Sequence, residues 1–326
     1  MAKKPAIDER LEHVRTLQHE NSADDLRHGL EQALSDSSNL VVEAAAKIVG
    51  EQELSRFQTR LLDAYDRFLI DPVDTDKGCH AKIAIVEALN RLDFDDADFY
   101  LRGMRYTQHE PAWGGSEDTA AHLRGACAYG LVQSGQLSFV PIMTALVDLL
   151  ADPCKTARVH AAGAIANTGR GEAIPVLRLK VLSGDPKFEV MGACFSGLLQ
   201  LDAENSVPLV AARLTSDDID IALEAAAALG ETRHADATQA LIDAWKETHD
   251  RQLQVPFLLS IGLSNQPEAT EFLLQLITEN TAGSEDAVRA LAPNRFYGDL
   301  RERVEHVIRG TKNKRLLALY DAEFTE

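Results

Sequence analysis

The sequence predicts an all-α protein: a right-handed α-α superhelix, or solenoid, of about eight helical pairs. Three observations lead to this fold class. An aspartate followed by an apolar, alanine-rich segment recurs at intervals of 40, 42, 34, 33, 32 and 33 residues, and a period just above thirty is typical of stacked helix pairs. Aromatic residues make up only 6% of the 326 residues, which suits close helix packing better than strands. Glycines fall where helices should stop, and prolines fall near helix starts. The recurring aspartates are Asp36, Asp76, Asp118, Asp152, Asp185, Asp217 and Asp250.

Taken in order, the apolar segments form two-helix units joined by polar turns. The leading residues 1–22 precede the first repeat unit and are predicted to be irregular. The repeat array is predicted over residues 23–292, and residues 293–326 are predicted to be basic capping helices, with a helix over Asp299–Arg309 that extends towards Tyr320. The predicted pairs are residues 25–34 with 39–50, 56–70 with 78–92, 96–106 with 119–132, 137–150 with 155–169, 172–182 with 187–201, 205–214 with 219–230, 236–247 with 251–263, and 267–277 with 284–293.

Two segments show the repeat most clearly. They are DPCKTARVHAAGAIANTG at residues 152–169 and DDIDIALEAAAALG at residues 217–230. Both resemble HEAT repeats, an armadillo-type fold, and in particular the short HEAT-like units of phycobilisome-lyase-type proteins. The resemblance spans roughly residues 25–292, where an aspartate precedes alanine-rich helices that end near Leu-Gly. It implies the fold well and the function poorly, because this fold supports many unrelated binding roles.

The charge balance restricts the class of partner. The net charge is −18, whereas binding to phosphate backbones or anionic membranes needs a basic surface. We therefore expect neither a nucleic-acid nor a membrane partner; a basic protein is compatible, although an acidic surface also serves solubility alone. The segment Arg289–Arg315 is an exception, with eight basic and three acidic residues.

Cysteine usage and the amino terminus bear on localisation. The four cysteines are widely spaced without a CxxC pair, which indicates thiols in a reducing compartment. The first residues carry lysines without an apolar core, unlike a signal peptide, and no apolar run reaches the length of a membrane span. We expect a cytoplasmic protein.

Three consecutive units share an aspartate followed six residues later by a basic residue. The pairs are Asp76–Lys82, Asp118–Arg124 and Asp152–Arg158. An aspartate at a helix start caps free backbone N–H groups, and in stacked units the basic side chain can reach the cap aspartate of its own or a neighbouring turn. The alternative is a basic strip that faces an acidic partner; it would end sharply, because the equivalent positions elsewhere are Val41, Met191 and Ala222. The predicted structural caps are Asp76, Asp118, Asp152, Asp185 and Asp217.

Two turns are longer than the rest, at residues 71–80 and 106–118. Turns of successive units stack along one edge of a solenoid, so we expect these two to be neighbours. Long irregular loops on a regular array often carry function. Trp113, followed by two glycines, is either a contact for a partner or a ring tucked under its own loop.

The same turns hold residues that metals favour. Cys79, His80, His109, Glu110 and His122 form a metal site only if the turns converge, and no HExxH or CxxC motif enforces this. The sequence also lacks the paired His-Glu helices of the deoxyhypusine-type di-iron hydroxylases, and it has no nucleophile or phosphate-loop motif. We predict no metal, no cofactor and no catalytic residue.

The function predicted from these features is a non-enzymatic scaffold that binds a protein or peptide with the inner face and turn edge of the second to fourth repeats. The partner is basic, or carries acidic patches that meet the basic strip. The alternative is a bilin-lyase-like or metal-dependent enzyme or accessory protein that uses the 106–122 loop. The predicted partner-binding residues are Lys82, Tyr106, His109, Trp113, Arg124 and Arg158.

Overall fold

A computed structural model describes residues 6–20 and 22–324 of the chain. Within these ranges there are twenty α-helices and one β-hairpin. The chain divides into two compact units, Met1–Thr168 and Gly169–Glu326. This division falls inside the stretch that the sequence predicts as one array. Among the described residues, no helix is long and apolar enough to cross a membrane.

In the first unit, consecutive helices pair and the second helices of successive pairs pack side by side. Small residues allow this close approach. A Cβ added at Gly125 would lie 2.5 Å from the His160 ring, and one added at Gly50 would lie 3.0 Å from the Ala88 backbone. The elements are α1 Ile7–Leu17, α2 Ala23–Leu34, α3 Asn39–Glu51, α4 Gln58–Arg67, α5 Pro72–Thr75, α6 His80–Arg91, α7 Ala97–Gly103, β1 His109–Ala112, β2 Gly115–Asp118, α8 Ala121–Gln133, α9 Phe139–Leu150 and α10 Lys155–Asn167.

The second unit repeats the arrangement with shorter turns. A Cβ at Gly262 would lie 2.1 Å from the Ala290 carbonyl oxygen, so α16 and α18 touch through their backbones. The elements are α11 Ile174–Ser183, α12 Phe188–Leu201, α13 Ala203–Ala211, α14 Ile219–Glu231, α15 Ala235–Glu247, α16 Arg251–Leu263, α17 Pro267–Glu279, α18 Ser284–Leu291, α19 Leu300–Thr311 and α20 Lys314–Phe324.

The predicted fold class, an all-α helical repeat, is confirmed, and each of the eight predicted pairs has its two helices. Two predictions at the ends need correction. The leading segment contains helix α1, whose Val14 and Leu17 are buried and whose Arg10 forms an ion pair with Asp36; residues 1–5 of that segment and residue 21 lie outside the described residues. At the other end, where capping helices are predicted, two helices form, but the first does not continue to Tyr320, because Lys312 adopts a left-handed conformation with φ of 53°.

Candidate functional site

The loop between α7 and α8 forms a β-hairpin, where the sequence predicts an irregular loop. β1 pairs with β2 in antiparallel register, with Ala112 opposite Gly115, so Trp113 and Gly114 form the turn. Gly114 has φ of 92°, a conformation that glycine adopts without strain. A Cβ added at Gly114 or Gly115 would have no other part of the chain within 4 Å, so the tip projects away from the repeats.

Trp113 stands at this tip with a relative exposure of 107%. The interpretation in which its ring is tucked under its own loop is therefore wrong. His109, at the start of β1, is also exposed. An indole that is fully exposed to water buries no surface within the fold, so its whole surface is available for contact with another molecule.

Glu110 anchors the hairpin to the preceding repeat. Its side chain is buried, and its Oε1 accepts hydrogen bonds from the Gly78 N–H at 2.7 Å, Gln108 Nε2 at 2.7 Å and the Thr119 hydroxyl at 2.8 Å. Burial opposes ionisation, but these hydrogen bonds outweigh it and hold the pKa of Glu110 below its usual value. The base of the hairpin is thus held by a buried carboxylate that accepts three hydrogen bonds.

Gln108 makes contacts that were not predicted from the sequence. Its Nε2 donates to the Asp76 carbonyl oxygen at 2.9 Å, while its Oε1 accepts from the Tyr106 hydroxyl at 2.8 Å. The two long turns are therefore neighbours, as predicted. Tyr106 is half-buried, and burial first, then the nearby Cys79, raises the pKa of its phenol to about 12.

Lys82 lies beneath this network. It is 0% exposed; its Nζ is 2.8 Å from Asp76 Oδ2, donates to the Phe68 carbonyl at 3.2 Å and lies 5.6 Å from the centre of the Tyr106 ring. The ammonium group therefore faces Asp76, the Phe68 carbonyl and the Tyr106 ring inside the chain, and none of its N–H donors is exposed to another protein. Lys82 supports the turn from within.

Arg124 joins the hairpin to the next repeat. It is 2% exposed, and its guanidinium contacts Asp118 Oδ2 at 2.7 Å and Asp152 Oδ2 at 2.9 Å, while Nη1 donates to the Tyr106 carbonyl at 3.0 Å. Arg158 is buried as well and donates to the Asp152 and Pro153 carbonyls at 2.8 and 3.0 Å.

The predicted basic strip is therefore not an open surface. Lys82, Arg124 and Arg158 are buried and bonded within the chain, so assigning them to contact with an acidic partner is wrong for this conformation. Desolvation makes an unpaired buried cation very unfavourable, which is why each one is matched by carboxylates or carbonyls.

The predicted capping aspartates act locally, with one exception. The carboxylates accept from the backbone N–H of a residue at the following helix start: Asp76 from Ala81 and Lys82, Asp118 from Ala120, Asp152 from Cys154 and Asp185 from Lys187. Asp217 is exposed, and the cap of α14 is its neighbour Asp218, which accepts from Asp220 and Ile221. The Asp-Asp doublet offered two candidates, and the sequence alone could not separate them.

Within the described residues, no group of three or more His, Cys, Asp or Glu side chains is arranged to hold a metal ion. Of the five residues considered for such a site, Glu110 is enclosed by Gly78, Gln108 and Thr119, whereas His109 is exposed. His122 instead lies beside His160, with ring centres 5.3 Å apart.

Helix pairs, capped by aspartates and tied together by buried basic residues, define an α-solenoid repeat protein. Residues 143–227 and 207–292 match the family model described as HEAT repeats, and the chain is a HEAT-like repeat protein.

Solved structures similar to the chain have low sequence identity. The complex of CpcE and CpcF of phycocyanin lyase from Nostoc sp. PCC7120 is 16% identical, with a TM-score of 0.39 over 95% of this chain and 98% of that one. Human deoxyhypusine hydroxylase is 18% identical, with a TM-score of 0.31 over 80% and 91%. Kap121p is 14% identical, with a TM-score of 0.47 over 98% and 45%. No curated protein matches the chain.

Proposed function

We propose that this protein is a non-enzymatic scaffold that binds another protein through the tip of the β1–β2 hairpin. The observation that carries the proposal is Trp113, fully exposed on a hairpin whose base is fixed by the buried Glu110. Tryptophan is the residue type most enriched at binding hot spots. A large side chain in open water on an anchored support is suited to insertion into a partner.

The expected gain is large enough for specific binding. A tryptophan side chain buries about 150–250 Å² on insertion. At about 25 cal/mol per Å² this corresponds to roughly 4–6 kcal/mol before the ordering penalties of association. Because Glu110 and Gln108 already fix the hairpin base, little backbone entropy remains to be lost on binding.

The exposed carboxylates on the hairpin and on the turn that contacts its base suggest the chemistry of the partner. Glu117 on β2 and Asp71 and Asp74 on the adjoining turn are exposed, and the whole chain carries a net charge of −18. The matching surface is an apolar pocket with a basic rim. Acidic patches on the partner, the other possibility raised by the sequence, have no accessible basic strip to meet.

The experiment is affinity capture from native extract with three forms of the immobilised protein: wild type, Trp113→Ala and Phe296→Ala. Phe296 is a matched control, because it is another exposed aromatic side chain, 72% accessible, in the second unit. The wild type and the Phe296 variant should retain a protein that the Trp113 variant loses, with circular dichroism spectra unchanged. Equal retention by all three forms would contradict the proposal.

A further inference from the structure

The second unit contains a cleft that none of the features above explains. It has a volume of about 270 Å³ and lies between α15, α16 and the turn that joins α17 to α18. Val255, Leu258 and Leu276 give it apolar walls, and Trp245 and Arg251 border it. This volume lies just below the usual range of small-molecule sites, so the occupant would be a few atoms long.

Trp245 contributes a hydrogen-bond donor that the fold does not satisfy. Its ring packs edge-on against Phe272 at 5.4 Å, and a Cβ added at Gly283 would lie 3.3 Å from its Cζ2. Nε1 is joined to Cζ2 through Cε2, so it lies on the edge of the indole that faces Gly283. It is buried, and among the described residues it has no hydrogen-bond partner. Leaving a buried donor unmet is unfavourable by about 1–3 kcal/mol.

Arg251 supplies a second source of donors. Its side chain is 71% exposed, and its closest carboxylate contact, Asp286 Oδ2, is 3.5 Å from Nη2. Asp286 is held more closely by Arg289, at 3.0 Å. Arg251 therefore keeps most of its five N–H groups available at the rim.

We propose that this cleft binds an apolar group that carries a carboxylate. The apolar part packs on Val255, Leu258 and Leu276, while the carboxylate accepts from the Arg251 guanidinium and the Trp245 N–H. Asp286, which also lines the cleft, is matched by Arg289 at 3.0 Å and by Arg251 at 3.5 Å. Two sources share this chemistry: the carboxyl end of a peptide with an aliphatic last residue, and a free aliphatic acid.

The test uses the full chain with Trp113→Phe, which leaves Trp245 as its one tryptophan. The indole N–H resonance of Trp245 is followed by ¹⁵N NMR during titration with N-acetyl-leucine, N-acetyl-leucinamide, hexanoate and a short peptide that ends in leucine. We expect a saturable downfield shift with the carboxylates and at least about tenfold weaker binding of the amide, since a charge-assisted hydrogen bond is removed. Tighter binding of the peptide identifies a peptide end; equal binding of hexanoate identifies a free acid.

Two variants locate the site. Arg251→Gln should weaken N-acetyl-leucine about tenfold or more. Arg315→Gln should not, although Arg315 is similarly exposed in the same unit, with 80% of its side chain accessible. The inference is wrong if the resonance does not shift up to about 20 mM ligand, where even millimolar affinity would be visible. It is also wrong if the acid and the amide bind equally. This inference is independent of the hairpin proposal, since Trp113 is absent from the test protein.

Discussion

Replacing Arg124 with methionine should strongly destabilise the first unit. Methionine replaces the unbranched aliphatic stem of arginine but removes the guanidinium that lies between Asp118 and Asp152. Both carboxylates would then stay largely buried without their main counter-charge. Breaking a buried ion pair in this way typically costs about 3–5 kcal/mol, and the Tyr106 carbonyl also loses a donor. Against a total stability of about 5–15 kcal/mol, this is a large fraction.

The penalty should depend on pH in a defined direction. Burial raises the pKa of Asp118, but hydrogen bonds from Gln108, Ala120 and Arg124 outweigh it and hold this pKa below the usual value. A carboxyl with a lowered folded-state pKa contributes stability above its unfolded pKa and loses it as the pH falls through the folded pKa. In the variant, burial no longer meets a cation, so Asp118 takes up a proton at a higher pH. The stability difference between wild type and variant should therefore be greatest near neutral pH and shrink on acidification below about pH 5.

The measurement is urea unfolding followed by far-ultraviolet circular dichroism at several pH values, with hydrogen exchange of α8 and α10 to localise the effect. Arg15→Met is the matched control, because Arg15 lies in the same unit, 72% of its side chain is exposed, and its contact to Glu12 is 3.4 Å long. That control should stay within about 0.5 kcal/mol of wild type. A penalty below about 1 kcal/mol for Arg124→Met, or one that does not change with pH, would refute the reasoning.

Three further predictions test packing, the hairpin base and thiol chemistry. Gly262→Ala should destabilise the second unit by more than about 1 kcal/mol, because the new Cβ meets the α18 backbone, whereas Gly310→Ala, which has open space around it within α19, should stabilise by about 0.5–1 kcal/mol in thermal unfolding. Glu110→Gln should lower stability by about 1–3 kcal/mol, since the charge that receives three hydrogen bonds is lost, and exchange of the hairpin amides should accelerate. With Ellman's reagent, Cys154 should react well before Cys127, because Cys127 is fully buried and burial raises the pKa of its thiol strongly, whereas Cys154 is partly exposed.

Much of the fold was predictable because the same residue types recur at the same spacing in successive repeats. The six-residue spacing from Asp118 to Arg124 puts a cation within reach of a helix-capping carboxylate, and the structure shows that contact at 2.7 Å. The spacing left open whether the basic residue meets the aspartate of its own turn or of a neighbouring one, and Arg124 meets both, Asp118 and Asp152 of the following repeat. Which aspartate is reached depends on how two units stack, and the six-residue spacing alone does not decide that.

The hairpin was not predictable from local pattern. Its strands contain no β-branched residue, and Glu110 lies directly opposite Glu117, a like-charge pair that disfavours a hairpin. The hydrogen bond from the Gly78 N–H to the buried Glu110 carboxylate offsets this local penalty. Because the two residues are 32 positions apart, the local sequence of the hairpin gives no sign of it. Helix α1, by contrast, could have been predicted: Ile7, Leu11, Val14 and Leu17 are spaced four, three and three residues apart, which is the pattern of an amphipathic helix.

On the proposed function, the buried residue Arg124 supports the hairpin that carries the exposed Trp113. Arg124 binds the Tyr106 carbonyl just before β1 and the Asp118 carboxylate at the end of β2, so one side chain fixes both ends of the hairpin. Arg124→Met should consequently weaken partner capture together with stability, whereas Trp113→Ala should abolish capture while stability stays unchanged. Comparing the two variants distinguishes a residue that supports the hairpin from a residue that contacts the partner. A loss of binding alone would not distinguish these two roles. If Arg124→Met lost stability but captured the partner as well as wild type, the hairpin would be positioned without Arg124, and Glu110 alone would have to account for its position.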